Sequence, residues 1–469
     1  MTERDSSNSP KLAIILGRLV QIALLTAAAL ALTVVFTEPV RSSSELSQSV
    51  GLMARPISKP YLRLPPLASG EFPPLLSQTG AFENVRTLTP NPKLIPYDII
   101  VAFWSDGATK SRWISLPQGT IKFSPTGAWK FPDGTVFVKQ FDISTDETNP
   151  AVKRRLETRF LVRDSRGGVY GVTYKWRPDN SDAELLTGSV TEDITIKTAA
   201  GTRTQTWYYP SREDCLVCHT ATAGGVLGVN SRQMNRDITY SSGVSYNQIR
   251  AWNHVGLFDP EVSDSELAAL PKLANAEDNT RTLEDRARSF LDANCSQCHR
   301  PGGTVATFDA RYETPLAKQE LVGGPVLIDE GIDRARIVAP NDIWRSILYM
   351  RASTTDEIKM PPLARMTVDT ASVKLLREWI QSLPGPPVLE PPVFSPPGGS
   401  YERDVNVTLT NVEPDTAIHF TLDGSEPTTS DPIYEKPLKL KDPTVVRARA
   451  FKQGFTRSIT AQQVYVPSR

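Results

Sequence analysis

Apolar and polar residues follow three different patterns along this chain of 469 residues. An almost unbroken apolar run extends from Leu19 to Phe36, runs of alternating character fill 75–205, and apolar residues recur at helical spacing near 287–294 and 373–383. These patterns predict a membrane-length helix, antiparallel strands and amphipathic helices respectively. We therefore expect a multidomain protein with an N-terminal membrane helix, an antiparallel β-sandwich-like domain, α-helical modules and a C-terminal β-sandwich.

Six segments of the 75–205 region are rich in Val, Ile, Thr and aromatic residues and are separated by turn residues. They are Asp98–Phe103, Thr135–Phe141, Arg159–Val162, Tyr170–Trp176, Asp193–Thr198 and Thr202–Tyr209. Strands at this spacing favour an antiparallel sandwich or barrel. The polar and aromatic cluster Trp104–Ala108 fits either a binding loop or a tight turn whose Trp fills the core.

The apolar run at 12–36 is preceded by positive charge and followed by Thr37-Glu38-Pro39. Its length is closer to the roughly 20 residues of a spanning helix than to the roughly 7–15 of a signal-peptide core. Lys11 and Arg18 favour a cytoplasmic N-terminus, residues 1–11. We expect a single-pass anchor that holds the chain on the periplasmic side of a bacterial inner membrane, or a secreted protein if the N-terminus is cleaved.

Proline divides the remaining chain. The 38 prolines cluster at 37–74, a predicted tether, and at 385–396, a predicted stiff linker. Between them we expect a β-rich domain at 75–205 and two helical modules at 206–277 and 278–384, with a last module at 397–469. Lys plus Arg equals Asp plus Glu at 52 each, and this zero net charge argues against nucleic acid as a partner.

All four cysteines lie in two Cys-x-x-Cys-His pentads, formed by Cys215, Cys218 and His219 and by Cys295, Cys298 and His299. This is the attachment signature of a c-type haem, in which two thiols bind the porphyrin and the adjoining His binds the iron. The alternatives are a disulfide within each Cys-x-x-Cys and a shared zinc site. A zinc ribbon spaces its pairs by roughly 15–20 residues, far fewer than here, and requires no His after each pair. The sequence predicts two covalently attached haems.

The second pentad lies in a pattern typical of a single-haem cytochrome c domain. A helix capped by Thr282 leads into Cys295, and another helix begins near Thr370. Between them Met360 lies in a Pro-rich loop and is the predicted sixth iron ligand, with Met350 and Met366 as competitors. Ligation by His and Met leaves no open site on the iron, which suits electron transfer.

The first pentad lacks such a loop. Its predicted sixth ligand is His254, with Met234 as the alternative. For each of these two residues, a position in the hydrophobic core explains the sequence as well as iron ligation does. A missing sixth ligand would leave the iron open to water or peroxide.

Two resemblances accompany these motifs. Residues from about 70 to 383 resemble a family of exported, functionally uncharacterised di-haem c-type cytochromes. The residues that carry this resemblance are Leu94–Tyr97, Trp104–Ala108, Phe131–Thr135, Glu157–Arg159, Asp182-Ala183, Leu227–Asn230, Gln233, Asn235 and the two pentads. The resemblance implies helical haem modules and no established substrate.

The segment at about 390–469 is similar to the C-terminal domain of chitobiases and β-hexosaminidases. The similarity is carried by Pro397–Tyr401, Val405–Leu409, Ile418–Ser425, Tyr434 and Val446–Ala450. It implies a small immunoglobulin-like sandwich. It implies no glycosidase activity, because catalysis in those enzymes requires a separate barrel.

The expected function is that of a membrane-tethered di-haem cytochrome that carries single electrons between an exported dehydrogenase and a downstream acceptor. One alternative is a peroxidase-like or oxygenase-like enzyme that uses the first haem. Another is a carbohydrate-surface protein with accessory haems. The expected partners are two redox proteins and the membrane, with polysaccharide as a further candidate.

Overall fold

The computed structural model describes residues 50–52, 62–304, 307–363 and 365–467. The predicted cytoplasmic N-terminus and anchor, together with most of the predicted tether, lie outside these ranges. Within them, no helix has the length and apolar character needed to cross a membrane. The described residues therefore give no support to the single-pass anchor or to the inner-membrane location that depended on it.

The described chain is mostly β, with 30% strand and 16% helix. Its longest helix, Thr370–Ser382, has only 13 residues. The predicted α-helical cytochrome c modules are therefore wrong, and so is the multidomain helical architecture built on them. The apolar periodicity near 287–294 and 373–383 does form helices, but the segment between them is mainly loop.

The elements before the C-terminal module alternate between strands and short helices. The strands are β1 (Phe82–Asn84), β2 (Thr89–Pro90), β3 (Ile95–Pro96), β4 (Thr109–Ser115), β5 (Ile121–Lys122), β6 (Val136–Ser144), β7 (Lys153–Arg163), β8 (Val169–Trp176), β9 (Ala183–Leu185), β10 (Val190–Thr198), β11 (Gly201–Tyr209), β12 (Asp237–Thr239), β13 (Ser245–Asn247) and β14 (Phe258–Asp259). The helices are α1 (Arg212–Cys218), α2 (Ser231–Met234), α3 (Gln248–His254), α4 (Asp264–Ala268), α5 (Leu283–Asn294), α6 (Ile347–Ser353) and α7 (Thr370–Ser382). Three 3₁₀ turns lie at Leu76–Thr79, Leu316–Lys318 and Ile343–Arg345.

A six-stranded antiparallel sheet with strand order β3-β4-β6-β7-β8-β9 is the centre of the fold. Side chains alternate between its two faces, as the pleat of a strand requires. On β6, Val136 and Val138 enter a core that also holds Phe160. Phe137 points the other way, into a second core shared with Trp252 of α3. The chain after β11 therefore packs on the second face of the sheet.

Helices α5 and α7 enclose a third core around the second pentad. Ala287 and Leu291 of α5 and Leu376 and Trp379 of α7 are buried there. Cys295, the residue that follows α5, lies at the edge of this core. The second pentad thus begins where an amphipathic helix ends against its neighbour.

The C-terminal module consists of two sheets, with strand orders β15-β17-β19 and β16-β21-β20-β18. Its strands are β15 (Val393–Ser395), β16 (Gly399–Tyr401), β17 (Val405–Thr410), β18 (Ala417–Thr421), β19 (Leu438–Leu440), β20 (Thr444–Phe451) and β21 (Ala461–Pro467). Val407 on β17 and Val446 on β20 are fully buried in their shared core.

One carboxylate joins this module to the preceding chain. Asp333 lies 3.2 Å from Arg345, 3.1 Å from Arg449 and 3.0 Å from Arg457, and we call these four residues the Asp333 cluster. Arg345 belongs to the α5–α7 region, whereas Arg449 and Arg457 belong to the C-terminal module. The cluster therefore fixes one part of the chain to the other.

Candidate functional site

The first pentad lies on α1, which begins with a capping box. The side chain of Ser211 accepts a hydrogen bond from the backbone N–H of Asp214, and the Asp214 carboxylate accepts one from the backbone N–H of Ser211. Helix α1 packs against β8 at Gly171. A Cβ atom at Gly171 would lie 2.5 Å from Sγ of Cys215, so glycine makes room for this thiol.

His219 follows α1 with its ring held by the backbone. Its Nδ1 lies 2.7 Å from the carbonyl oxygen of Gly225. A carbonyl only accepts, so Nδ1 carries the proton and Nε2 keeps its lone pair. Burial lowers the pKa of His219 to about 4, so the imidazole is neutral at ordinary pH. A neutral imidazole with a fixed tautomer is the form that binds iron.

The second pentad has a different local structure. The side chain of Thr282 caps α5 by accepting from the N–H of Asp285, and α5 ends at Cys295. The ring of His299 stacks on Phe308 with centroids 4.3 Å apart. Its Nδ1 is buried and has no hydrogen-bond partner in the described part of the chain. Burial lowers the pKa of His299 to about 4, and the nearby charge of Arg351 acts in the same direction.

The two pentads lie side by side, although they are far apart in sequence. A hydrogen bond between the two thiols raises the pKa of Cys218 and lowers that of Cys298 to about 7. The guanidinium of Arg300 donates to the carbonyl oxygen of Thr222 at 3.4 Å, which adds a second link. Nothing in the sequence predicted this contact.

A cavity of about 270 Å³ opens between the first pentad and the second face of the central sheet. Its lining includes Cys215, Cys218 and His219 on one side. Apolar lining comes from Phe137, Phe141, Leu161, Val226, Leu227 and Val229. The end of α5 contributes Asp292 and Ala293, and the segment of the second pentad contributes Ser296 and Gln297, with Arg300 just after it. The cavity is thus bordered by both motifs.

Three cations of the cavity wall differ in their pairing. Arg159 lies 2.5 Å from the buried carboxylate of Glu157, and Arg232 lies 2.6 Å from Glu313. Lys139 on β6 has no carboxylate within ion-pair distance and no hydrogen-bond acceptor in the described residues. Burial lowers the pKa of Lys139 well below its usual value, and the neighbouring cations lower it further.

The predicted sixth ligands of the first haem lie elsewhere. Met234 is fully buried in the core that holds Trp252. His254 is the last residue of α3, with its ring 6.4 Å from that of Tyr246. Neither is among the described residues that line the cavity. The structure gives no contact that joins them to His219, and their ligation stays a prediction.

Met360 shares a neighbour, Arg351, with its predicted partner His299. Its backbone N–H donates to the carbonyl oxygen of Arg351 at 3.0 Å. The guanidinium charge of Arg351 also lowers the pKa of His299, so Arg351 is a neighbour of both residues. Met350 lies within α6, and the N–H of Met366 donates to the carboxylate of Asp106. Met360 therefore remains the predicted sixth ligand of the second haem.

A metal centre built from side chains alone is not present in the described residues. They contain no group of three or more His, Cys, Asp or Glu side chains that could hold a metal ion. All four cysteines are free thiols. The described residues thus give no support to the predicted metal-binding and transmembrane character, nor to the zinc and disulfide alternatives.

Sequence reasoning missed Lys139, Arg159 and Gly171, which line the cavity. A signal for Lys139 was available, because it lies between Phe137 and Phe141 in a predicted strand. These three positions share one face of the strand, so a polar residue there faces the same interior as the aromatic rings.

Comparison with known families gives one match. Residues 396–462 match the chitobiase/beta-hexosaminidase C-terminal domain. The match covers the C-terminal module alone. It confirms the resemblance of that module, whereas the resemblance of 70–383 to di-haem cytochromes gains no support. No curated protein matches the chain.

Proposed function

We propose that the two pentads attach two c-type haems and that the chain carries single electrons between redox partner proteins. The observation that carries this proposal is the arrangement at the first pentad. Both thiols and the imidazole of His219 border one cavity, and Gly225 fixes the imidazole with Nε2 free. A haem so attached supplies reversible one-electron chemistry at its iron.

The residues around the first pentad fit such a group. The capping box of Ser211 and Asp214 fixes the start of α1, and Gly171 leaves space for the thiol of Cys215. Apolar side chains line much of the cavity, which suits a large, flat and mostly apolar ligand. Burial keeps His219 neutral, so no proton competes with a metal for Nε2 at ordinary pH.

The second pentad fits less completely. Stacking on Phe308 orients the ring of His299, but no carbonyl fixes its tautomer within the described residues. A buried ring nitrogen without a hydrogen-bond partner lowers the stability of the fold. A ligand or a water molecule at the imidazole would remove this cost. Cys218 and Cys298 are hydrogen-bonded neighbours in the unmodified chain, and two adjacent attachment sites favour a carrier over two independent sites.

The direct test is the mass of the chain produced in cells that attach haem to c-type cytochromes. We expect two haems per chain, one haem in the variant Cys215→Ala/Cys218→Ala and one in the matched variant Cys295→Ala/Cys298→Ala. His254→Ala, outside the cavity lining, should retain both haems. An unmodified mass, in cells that load a control cytochrome, would refute the proposal.

A redox titration then separates the carrier from the enzyme. A carrier should take up one electron per haem reversibly and show no turnover of peroxide. Turnover of peroxide at a rate that depends on the first pentad would favour the enzyme instead.

A carbohydrate-binding function is the second candidate, because the C-terminal match is to a domain of carbohydrate-processing enzymes. It is tested by retention of the full chain on insoluble chitin and on other polysaccharides. Retention that is independent of haem content would favour this candidate.

A further inference from the structure

The amine of Lys139 is an unusual group for a cavity wall. Lys139 lies in the middle of β6, a central strand, and its side chain contributes to the lining that also includes His219. Its Nζ lies 5.3 Å from the ring centroid of Phe141. Most lysines extend their ammonium into bulk water, whereas Lys139 is half-buried in the cavity wall.

The neighbouring strands place like charges next to it. Lys139 pairs with Arg112 on β4 and with Arg159 on β7, and all three share one face of the sheet. Like charges directly opposite each other destabilise a sheet unless each has a counter-ion. Arg112 lies 2.6 Å from Asp98, and Arg159 lies 2.5 Å from Glu157. Lys139 has no such carboxylate in the described residues, and a neutral amine is the form that this position favours.

A neutral lysine amine has a lone pair that can bind a metal, and the half-buried Lys139 contributes to the lining of the cavity that His219 also lines. Gln233, another polar cavity residue, has partners on both sides of its amide, because its oxygen accepts from the N–H of Val101 and its nitrogen donates to the carbonyl oxygen of Val101. Lys110, on the same face of the sheet, donates to the carbonyl oxygen of Phe103 at 2.7 Å. Lys139 therefore lines the cavity with an amine that contacts the ring of Phe141 but has no hydrogen bond and no ion pair among the described residues.

We infer that Lys139 is the sixth ligand of the iron held by His219, in place of His254 or Met234. This inference rests on the proposed function, since it requires a haem at the first pentad. It would give the first iron two nitrogen ligands, both from residues that line the cavity. It also closes the site that a peroxidase-like enzyme would need open.

The experiment compares Lys139→Ala and Lys139→Met with the matched control Lys110→Met in the haem-loaded protein. Mass spectrometry first establishes that each variant carries two haems, which tests the proposed function separately. Paramagnetic resonance and near-infrared magnetic circular dichroism of the ferric protein then report the ligands. We expect Lys139→Ala to lose the low-spin signal of one of the two haems and Lys110→Met to lose none.

Lys139→Met retains a side chain of similar length that can bind iron through sulfur. We expect it to replace an amine-type charge-transfer band by a sulfur-to-iron band and to raise the potential of one haem. If the substitutions impair folding, the unaltered protein still provides a test. Its first haem should show the amine-type band and should bind cyanide slowly.

Two results would overturn the inference. Low-spin spectra that are unchanged in both Lys139 variants would exclude ligation, even if a potential shifts, because a shift alone indicates a charge effect. A high-spin first haem in the unaltered protein would show that the site is open. Unmodified chain mass would instead refute the proposed function on which the inference depends.

Discussion

Replacing Gly171 by alanine tests how the first pentad is positioned. The added Cβ would lie 2.5 Å from Sγ and 2.8 Å from Cβ of Cys215, whereas carbon and sulfur atoms pack at about 3.5–4.0 Å. Relief requires a shift of roughly 1 Å in α1 or β8. Helix α1 is fixed by its capping box and β8 by its pairing with β7, so neither moves freely. Overpacking of this kind costs about 1–3 kcal/mol.

The control is Gly188→Ala, because a Cβ at Gly188 meets nothing within 4 Å. It should be neutral or should stabilise by up to about 1 kcal/mol. Urea unfolding followed by tryptophan fluorescence measures both effects, and mass spectrometry counts the attached haems. We expect Gly171→Ala to lower stability and to reduce attachment at Cys215 but not at Cys295. Equal stability and equal loading of the two variants would refute this account of the packing.

Three further predictions concern other contacts. Asp333→Asn should lower the free energy of unfolding by about 2–3 kcal/mol and should speed proteolysis at 385–396. This cost is below the roughly 3–5 kcal/mol of a fully buried ion pair, because Asp333 is 28% exposed. The surface variant Asp404→Asn should cost at most about 1 kcal/mol. Burial raises the pKa of Asp333, but its arginine partners outweigh this effect and lower the pKa. The stabilisation that Asp333 provides should therefore persist above pH 4 and vanish as the pH falls further. Acid unfolding of the unaltered protein and of Asp333→Asn measures this difference. Asp106→Ala should cost about 1.5–3 kcal/mol by urea unfolding, because it removes the acceptor of the N–H and hydroxyl groups of Thr367, and a cost near zero would contradict this assignment.

Local patterns predicted the local structure well. Strands lie at five of the six segments predicted from alternation, as β6, β7, β8, β10 and β11. Asp98–Phe103 is the exception. Its backbone groups bond to the side chains of Gln233 and Gln248 and not to a neighbouring strand. These glutamines are more than a hundred residues away, and periodicity carries no information about such partners.

The same limit explains the errors at the candidate site. The pentads are recognisable in the sequence because all the residues of the haem-attachment motif lie within five consecutive positions. Packing between distant segments creates the contact between Cys218 and Cys298 and brings Lys139 and His219 to the lining of one cavity. The Trp104–Ala108 cluster shows this too, since Asp106 binds the loop at 366–367 and Trp104 binds Asn294. It is a turn that joins two parts of the chain.

The meeting of the two pentads has a consequence for how the chain matures. With a thiol pKa of about 7, Cys298 is in large part a thiolate at neutral pH, and a thiolate is the nucleophile of disulfide exchange. Its neighbour is a cysteine of the other motif. In a chain that folds fully before modification, an oxidant that takes two electrons from these thiols would therefore join Cys218 to Cys298 in a disulfide. Under the proposed function such a disulfide would block attachment at both motifs, and modification of Cys218 before the segment from α5 onward docks, as the order of synthesis allows, would protect the chain.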